Sequence, residues 1–234
     1  MADRLLVPSI ENRMAALIEV TRRNSFGYPD VDKDLAPPAI TISREFGCEG
    51  FPVAEKLKTL LEKKTGAVWG VMDKELLQEV ARHHNLEEDI FKRLGEKNHF
   101  LDEMISTFSP RWKSDKDYYR LLTRQIVALA TVGNVIIVGR GSSIVTQKMK
   151  NCFHFRCIAP QEFKTRTIAK RLNLSHDDAE DLVKKRQKAR DSFIHDFLDR
   201  NVADPTLYHL IFNNGKTNAD RIAETICNFV TSSI

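Results

Sequence analysis

The segment Ile40-Thr41-Ile42-Ser43-Arg44-Glu45-Phe46-Gly47-Cys48-Glu49-Gly50 carries the clearest chemical signal in the chain. An apolar, β-branched run ends in Ser43-Arg44, two glycines follow, and helical periodicity begins. Glycines let backbone N–H groups converge, and a helix starting there adds the positive end of its dipole, so the natural ligand is an anion, phosphate above all. Ser43, Arg44, Gly47, Cys48, Glu49 and Gly50 are the candidate phosphate-loop residues. A glycine pair after a strand is also a common tight turn, and both readings stand at this point. The loop is not an intact G-x-x-x-x-G-K-[ST]. Phe51-Pro52 follow Gly50, so no lysine reaches the β- and γ-phosphates and no hydroxyl holds magnesium. Arg44 offers a charge from the other end of the loop.

Three further groups could act on a ligand. Arg140, in Gly139-Arg140-Gly141, follows the run Val135-Ile136-Ile137-Val138 and so stands at the carboxyl edge of a sheet, where open α/β proteins bind ligands; a surface arginine in a turn is the alternative. Asp73 follows a strand, where its carboxylate can accept hydrogen bonds or cap a helix over Lys74 to Arg82. The run Lys184-Lys185-Arg186-Gln187-Lys188-Ala189-Arg190, with Arg166 and Arg171 before it, is densely cationic. A solvated helix face accounts for Lys184, Lys185 and Lys188 equally well.

The elements that must position these groups follow from hydrophobic period. Strands are expected at Ala39 to Ser43, Ala67 to Met72, Val135 to Val138, Cys152 to Ile158 and Leu207 to Phe212, alternating with helical patterns, which is the signature of βα units and a parallel sheet. Val53, Leu57, Leu60 and Leu61 mark one amphipathic helix, and Ile222, Ile226, Phe229 and Val230 another after an Asn218 cap. A charge-rich helix is expected between Ser175 and Arg200. Ile10, Met14, Leu17 and Ile18 mark an N-terminal helix over 9 to 24, and the proline-bearing stretch from Gly27 to Pro38 links it to the rest. Residues 73 to 131 show helical patterns without a strand and interrupt the alternation as an insertion over the ligand site.

Composition sets broad limits. A chain of 234 residues, 42% hydrophobic and 29% charged, can bury a core without disulfides or metal. Its net charge of +4 does not demand a nucleic-acid partner, and the cationic run lacks interleaved aromatics. Cys48, Cys152, Cys157 and Cys227 form no C-x-x-C pair and read as reduced thiols of a cytoplasmic protein. Cys152 to Cys157 alternates as a strand does, so its sulfurs pack; Trp69 and Trp112 are core or insertion contacts. The scattered histidines, His83-His84 included, suggest no metal site, and no apolar run is long enough to span a membrane.

In order and spacing, Ile40 to Gly47, Met72-Asp73-Lys74-Glu75-Leu76-Leu77, Val135 to Gly141, and Asp204-Pro205-Thr206-Leu207-Tyr208-His209-Leu210 resemble the cytidylate kinase-like family, over residues 39 to 232. The resemblance implies a P-loop NTPase-like, three-layer αβα fold with a five-stranded parallel sheet. It implies a kinase-like domain over 39–234, with an acceptor-binding insertion at 73–131 and an arginine-bearing lid at 160–200, preceded by a helix and linker over 1–38. The implied activity is transfer of the γ-phosphoryl group of ATP, with Mg2+, to a nucleoside monophosphate or related small acceptor. In that scheme residues 43 to 50 cradle the donor phosphates, Asp73, Arg140 and Arg166 bind the acceptor, and Arg140, Arg186 and Arg190 act on the transferring group. Nucleotides are the implied partners, with neither nucleic acid nor membrane. Two departures matter: Gly141 stands where true cytidylate kinases carry aspartate, which bears on cytosine preference, and Gln187 stands at a commonly acidic position. The missing loop lysine and hydroxyl leave open a nucleotide-binding sensor or regulatory protein, catalytically weak or inactive.

Overall fold

The computed structural model describes residues 36–73 and 115–233. The N-terminal helix expected at 9 to 24, the helix expected from Lys74, His83-His84 and Trp112 lie outside the described residues. In chain order the elements are β1 (Ala39–Arg44), α1 (Gly50–Thr65), β2 (Gly70–Met72), α2 (Asp115–Val132), β3 (Val135–Val138), α3 (Ser142–Val145), β4 (Cys152–Ile158), α4 (Gln161–Leu172), α5 (His176–Leu198), a 3-10 turn (Pro205–Leu207), β5 (Leu210–Asn213) and α6 (Ala219–Thr231).

The sheet has five strands in the order β2-β3-β1-β4-β5, and every pairing is parallel. β1 lies at its centre, with Ala39 opposite both Val135 and Cys152. Because strand side chains alternate in direction, the sheet supplies two cores. Ile40, Ile42, Ile136, Val138, Phe155 and Cys157 face α1 and α6, where Val53, Leu57, Ile222 and Ile226 are fully buried. Ala39, Val135, Ile137 and Cys152 face the other way, against Leu122 and Ile126 of α2 and Ile194 and Leu198 of α5. Helices on both faces of a parallel sheet make the three-layer αβα architecture that the β-branched runs demanded.

The helix ends follow from local chemistry. Asn218 caps α6 by accepting from the Arg221 N–H, as expected, and Ser175 caps α5 by accepting from the Asp178 N–H. α1 stops at Gly66, whose φ of 71° is the left-handed geometry that glycine adopts without steric cost. Two strand starts differ from expectation. β2 begins at Gly70 because the Glu62 carboxylate accepts from the Trp69 N–H and ties the preceding turn to α1. β5 begins at Leu210 because Asp204 accepts from the Thr206 N–H and winds Pro205–Leu207 into a 3-10 turn. Trp69 is a core residue, and all four cysteines are buried and free.

Candidate active site

β1, β3 and β4 end on one edge of the sheet, and α5 crosses above them. Between lies a cavity of about 390 Å³ whose cationic lining is Arg44, Arg140, Arg156, Arg186 and Arg190. Phe46, Leu172, Leu182 and Phe193 supply apolar walls. In parallel sheets the carboxyl edge is where ligands bind, and here three neighbouring strands deliver a guanidinium to it.

Arg44 ends β1. Its stem packs beside Gly50, and its guanidinium crosses to the first residue after β3, lying over Gly139. Gly139, Arg140 and Gly141 have φ of 82°, 59° and 69°, so three consecutive residues are left-handed in the turn into α3. Glycine takes this conformation freely, whereas Arg140 holds it at a cost of about 1 kcal/mol. The turn is fastened by Gly139 N–H to Ile42 O (3.0 Å) and Ser142 N–H to Gly139 O (3.1 Å). It sets the Arg140 guanidinium 5.2 Å from the centre of the Phe193 ring. A Cβ at 141 would press on the tip of Leu198, and the left-handed φ there suits glycine better than a residue with a side chain.

From α5, Arg190 stacks on Phe46 at 5.0 Å and donates to the Arg44 carbonyl at 3.3 Å. Gln187 accepts from the Phe46 N–H at 2.8 Å, so an uncharged amide does there what a carboxylate would also do. Arg186 is exposed on the cavity rim. Burial and the neighbouring Arg190 and Arg140 push the Arg44 guanidinium down to about 9, with Asp73 partly opposing them. Burial and Arg140 lower Arg190 as well. Such mutual repulsion inside a protein is relieved by an anion between the charges.

The candidate phosphate loop divides in two. Ser43 and Arg44 line the cavity; Gly47, Cys48, Glu49 and Gly50 do not. The N–H groups of Glu45, Phe46, Cys48 and Glu49 donate to Cys157 O, Gln187 Oε1, Glu45 O and Asn214 Oδ1. Gly47, with φ of 95°, is overlain by Lys164, where an added Cβ would meet the lysine Cβ at 2.7 Å. Lys164 also pairs with Glu45 at 2.8 Å, and Glu49 accepts from the Asn214 amide at 3.2 Å. Burial and Glu45 push the Cys48 thiol up to about 12, which leaves it protonated.

Arg166 stands apart, exposed on α4 and 3.5 Å from Glu162. Asp73 lies directly after β2 and acts on the site through its charge on Arg44. Lys184 pairs with Glu180 on the exposed face of α5, and Lys185 and Lys188 are exposed there too. Sequence reasoning missed Arg156 and the aromatic supports Phe46 and Phe193. The signal for Arg156 was a strand whose inward positions, His154 and Arg156, alternate with phenylalanines.

Residues 39–216 match the family model of the cytidylate kinase-like family, and the chain belongs to that family. An uncharacterized protein from Eubacterium ventriosum has a similar crystal structure, at TM-score 0.65 and 22% identity, covering 83% of this chain and 98% of that one; the likeness is one of fold. Shikimate kinase from Bacteroides thetaiotaomicron aligns over 83% of this chain and 98% of its own at 12% identity, with a TM-score of 0.42. No curated protein matches the sequence. Among the described residues no helix is long and apolar enough to cross a membrane.

Proposed function

We propose that this chain binds a phosphorylated nucleotide in the arginine-lined cavity and is a phosphoryl transferase of the nucleotide-kinase type, with ATP as donor and a nucleoside monophosphate or related small molecule as acceptor. Family membership supports the reaction class. The observation that carries the reading is the convergence of Arg44, Arg140, Arg186 and Arg190 on one cavity at the carboxyl edge of the sheet. In phosphoryl transfer, negative charge spreads over the oxygens of the moving group, and guanidinium forks placed beforehand stabilise it. Arg44 and Arg140 hold the phosphate from the sheet, Arg186 and Arg190 approach it from α5, and the Phe46, Leu182 and Phe193 walls keep water out.

Mg2+, which the family implies, is not matched by the residues of the loop. Phe51-Pro52 provide neither lysine nor hydroxyl, and among the described residues no three His, Cys, Asp or Glu side chains cluster to hold a metal. The same loop supports a second reading, a nucleotide-binding regulatory protein without turnover, because the N–H groups of Glu45, Phe46, Cys48 and Glu49 already have acceptors within the protein. One experiment separates the two: ADP release from ATP and Mg2+ with a panel of nucleoside monophosphates, beside calorimetry of each nucleotide. ADP above background with an acceptor establishes the transferase. Binding without ADP leaves the regulatory protein, and absence of binding overturns both.

A further inference from the structure

Arg156 belongs to no part of the scheme above. It lies on β4 directly across from Ser43 of β1 and is only 4% exposed, yet it borders the cavity. Its Nη1 donates to Ser43 Oγ at 3.0 Å and to Tyr208 Oη at 3.5 Å, with the guanidinium 5.6 Å from the centre of the Tyr208 ring. Tyr208 is itself anchored, donating to Val202 O at 2.7 Å. Both acceptors are neutral, and among the described residues no carboxylate pairs with Arg156. A guanidinium has five N–H donors, and burying its charge without a counter-charge costs several kcal/mol. Only the cavity side is left to supply one.

Position argues that this anion is not the one held by Arg140. β1 separates β3 from β4, and adjacent strands lie about 4.8 Å apart, so the two arginines are rooted about 10 Å apart. Each guanidinium is held against its own wall, Arg140 by Phe193 and Arg156 by Tyr208. Arg44 reaches across to the Arg140 side, where its guanidinium lies over Gly139.

We infer that Arg156, aimed by Ser43 and Tyr208, forms a second anion subsite on the β4 side of the cavity, and that the ligand carries a second phosphate-like group seated there. The inference rests on the cavity being the ligand site, as proposed above. The test is to titrate the full chain with inorganic phosphate at fixed ionic strength and count bound phosphate by equilibrium dialysis. The wild-type chain should bind two phosphates and Arg156→Gln one, with the affinity of the remaining site within roughly threefold of wild type. Arg156→Lys keeps the buried charge and guards against a folding defect; it should retain both sites, the second weakened roughly tenfold through loss of the planar fork. Arg44→Gln should remove the other phosphate and leave the Arg156 site. Two phosphates on Arg156→Gln would overturn the inference and make Arg156 a strut for Tyr208. A single phosphate on the wild-type chain, lost in Arg44→Gln and indifferent to Arg156→Gln, overturns the inference alone. No phosphate bound to the wild-type chain overturns the cavity reading with it.

Discussion

The Arg44 guanidinium lies over the Cα of Gly139, in the space that any side chain at 139 would fill. One residue ends the central strand and the other begins the turn after its neighbour, so the turn and the cation fit only as a pair. Gly139→Ala therefore strains a left-handed position and displaces Arg44. We expect a loss of about 1–3 kcal/mol in stability and at least a roughly tenfold drop in phosphate affinity. Thermal unfolding and phosphate dialysis of the same preparation read the two effects.

Arg44 is costly to the fold at neutral pH. Its folded-state value of about 9 lies below the ordinary guanidinium value, so between pH 9 and the unfolded value the unfolded chain holds the extra proton. Stability then rises with pH across that window. Arg44→Met should be more stable than wild type at pH 7, by roughly 1–2 kcal/mol, and bind phosphate poorly. Denaturant unfolding and phosphate titration, both at pH 7, check both parts.

His154 works in the opposite range. It is 2% exposed, bonded to Thr41 Oγ1 at 2.8 Å, and burial beside His209 lowers it to about 4. The neutral ring is what the fold accepts, so its contribution is complete above about pH 6.5 and is lost as pH falls from there toward 4. The loss at pH 4 is on the order of 3 kcal/mol. His154→Gln should flatten the pH dependence of unfolding over that window, and an unchanged slope would show that the acid lability arises elsewhere.

Gln187 accepts the Phe46 amide of the loop from a helix far along the chain. Gln187→Ala should speed hydrogen exchange at the Phe46 amide by roughly tenfold or more, while the Glu49 amide, held by Asn214 from the other side, keeps its protection. Exchange read by NMR at the two amides separates a local release from general loosening of the loop.

Much of this fold is legible in the chain because its signals are local. Val135–Val138 and Cys152–Ile158 begin and end where hydrophobic period places them, and Asn218 caps the last helix as its chemistry requires. The starts of β2 and β5 are not, since they depend on Glu62 reaching Trp69 and on Asp204 winding the segment before Leu210. The site divides the same way. Gly139-Arg140-Gly141 announces itself as a turn at a strand end, but nothing in the sequence around residue 47 shows that Gln187 and Asn214, far along the chain, supply acceptors for its neighbours. Arg156 was hidden because a strand residue is read by period, and period does not reveal which positions border a cavity.

The contacts between the helices after β4 and the loop after β1 also join three elements into one mechanical unit. Lys164 holds Glu45, Gln187 holds Phe46, and Arg190 holds the Arg44 carbonyl while covering the Phe46 ring. Loosening one of these contacts loads the others, so the loop after β1, α4 and α5 should open as one unit rather than piece by piece.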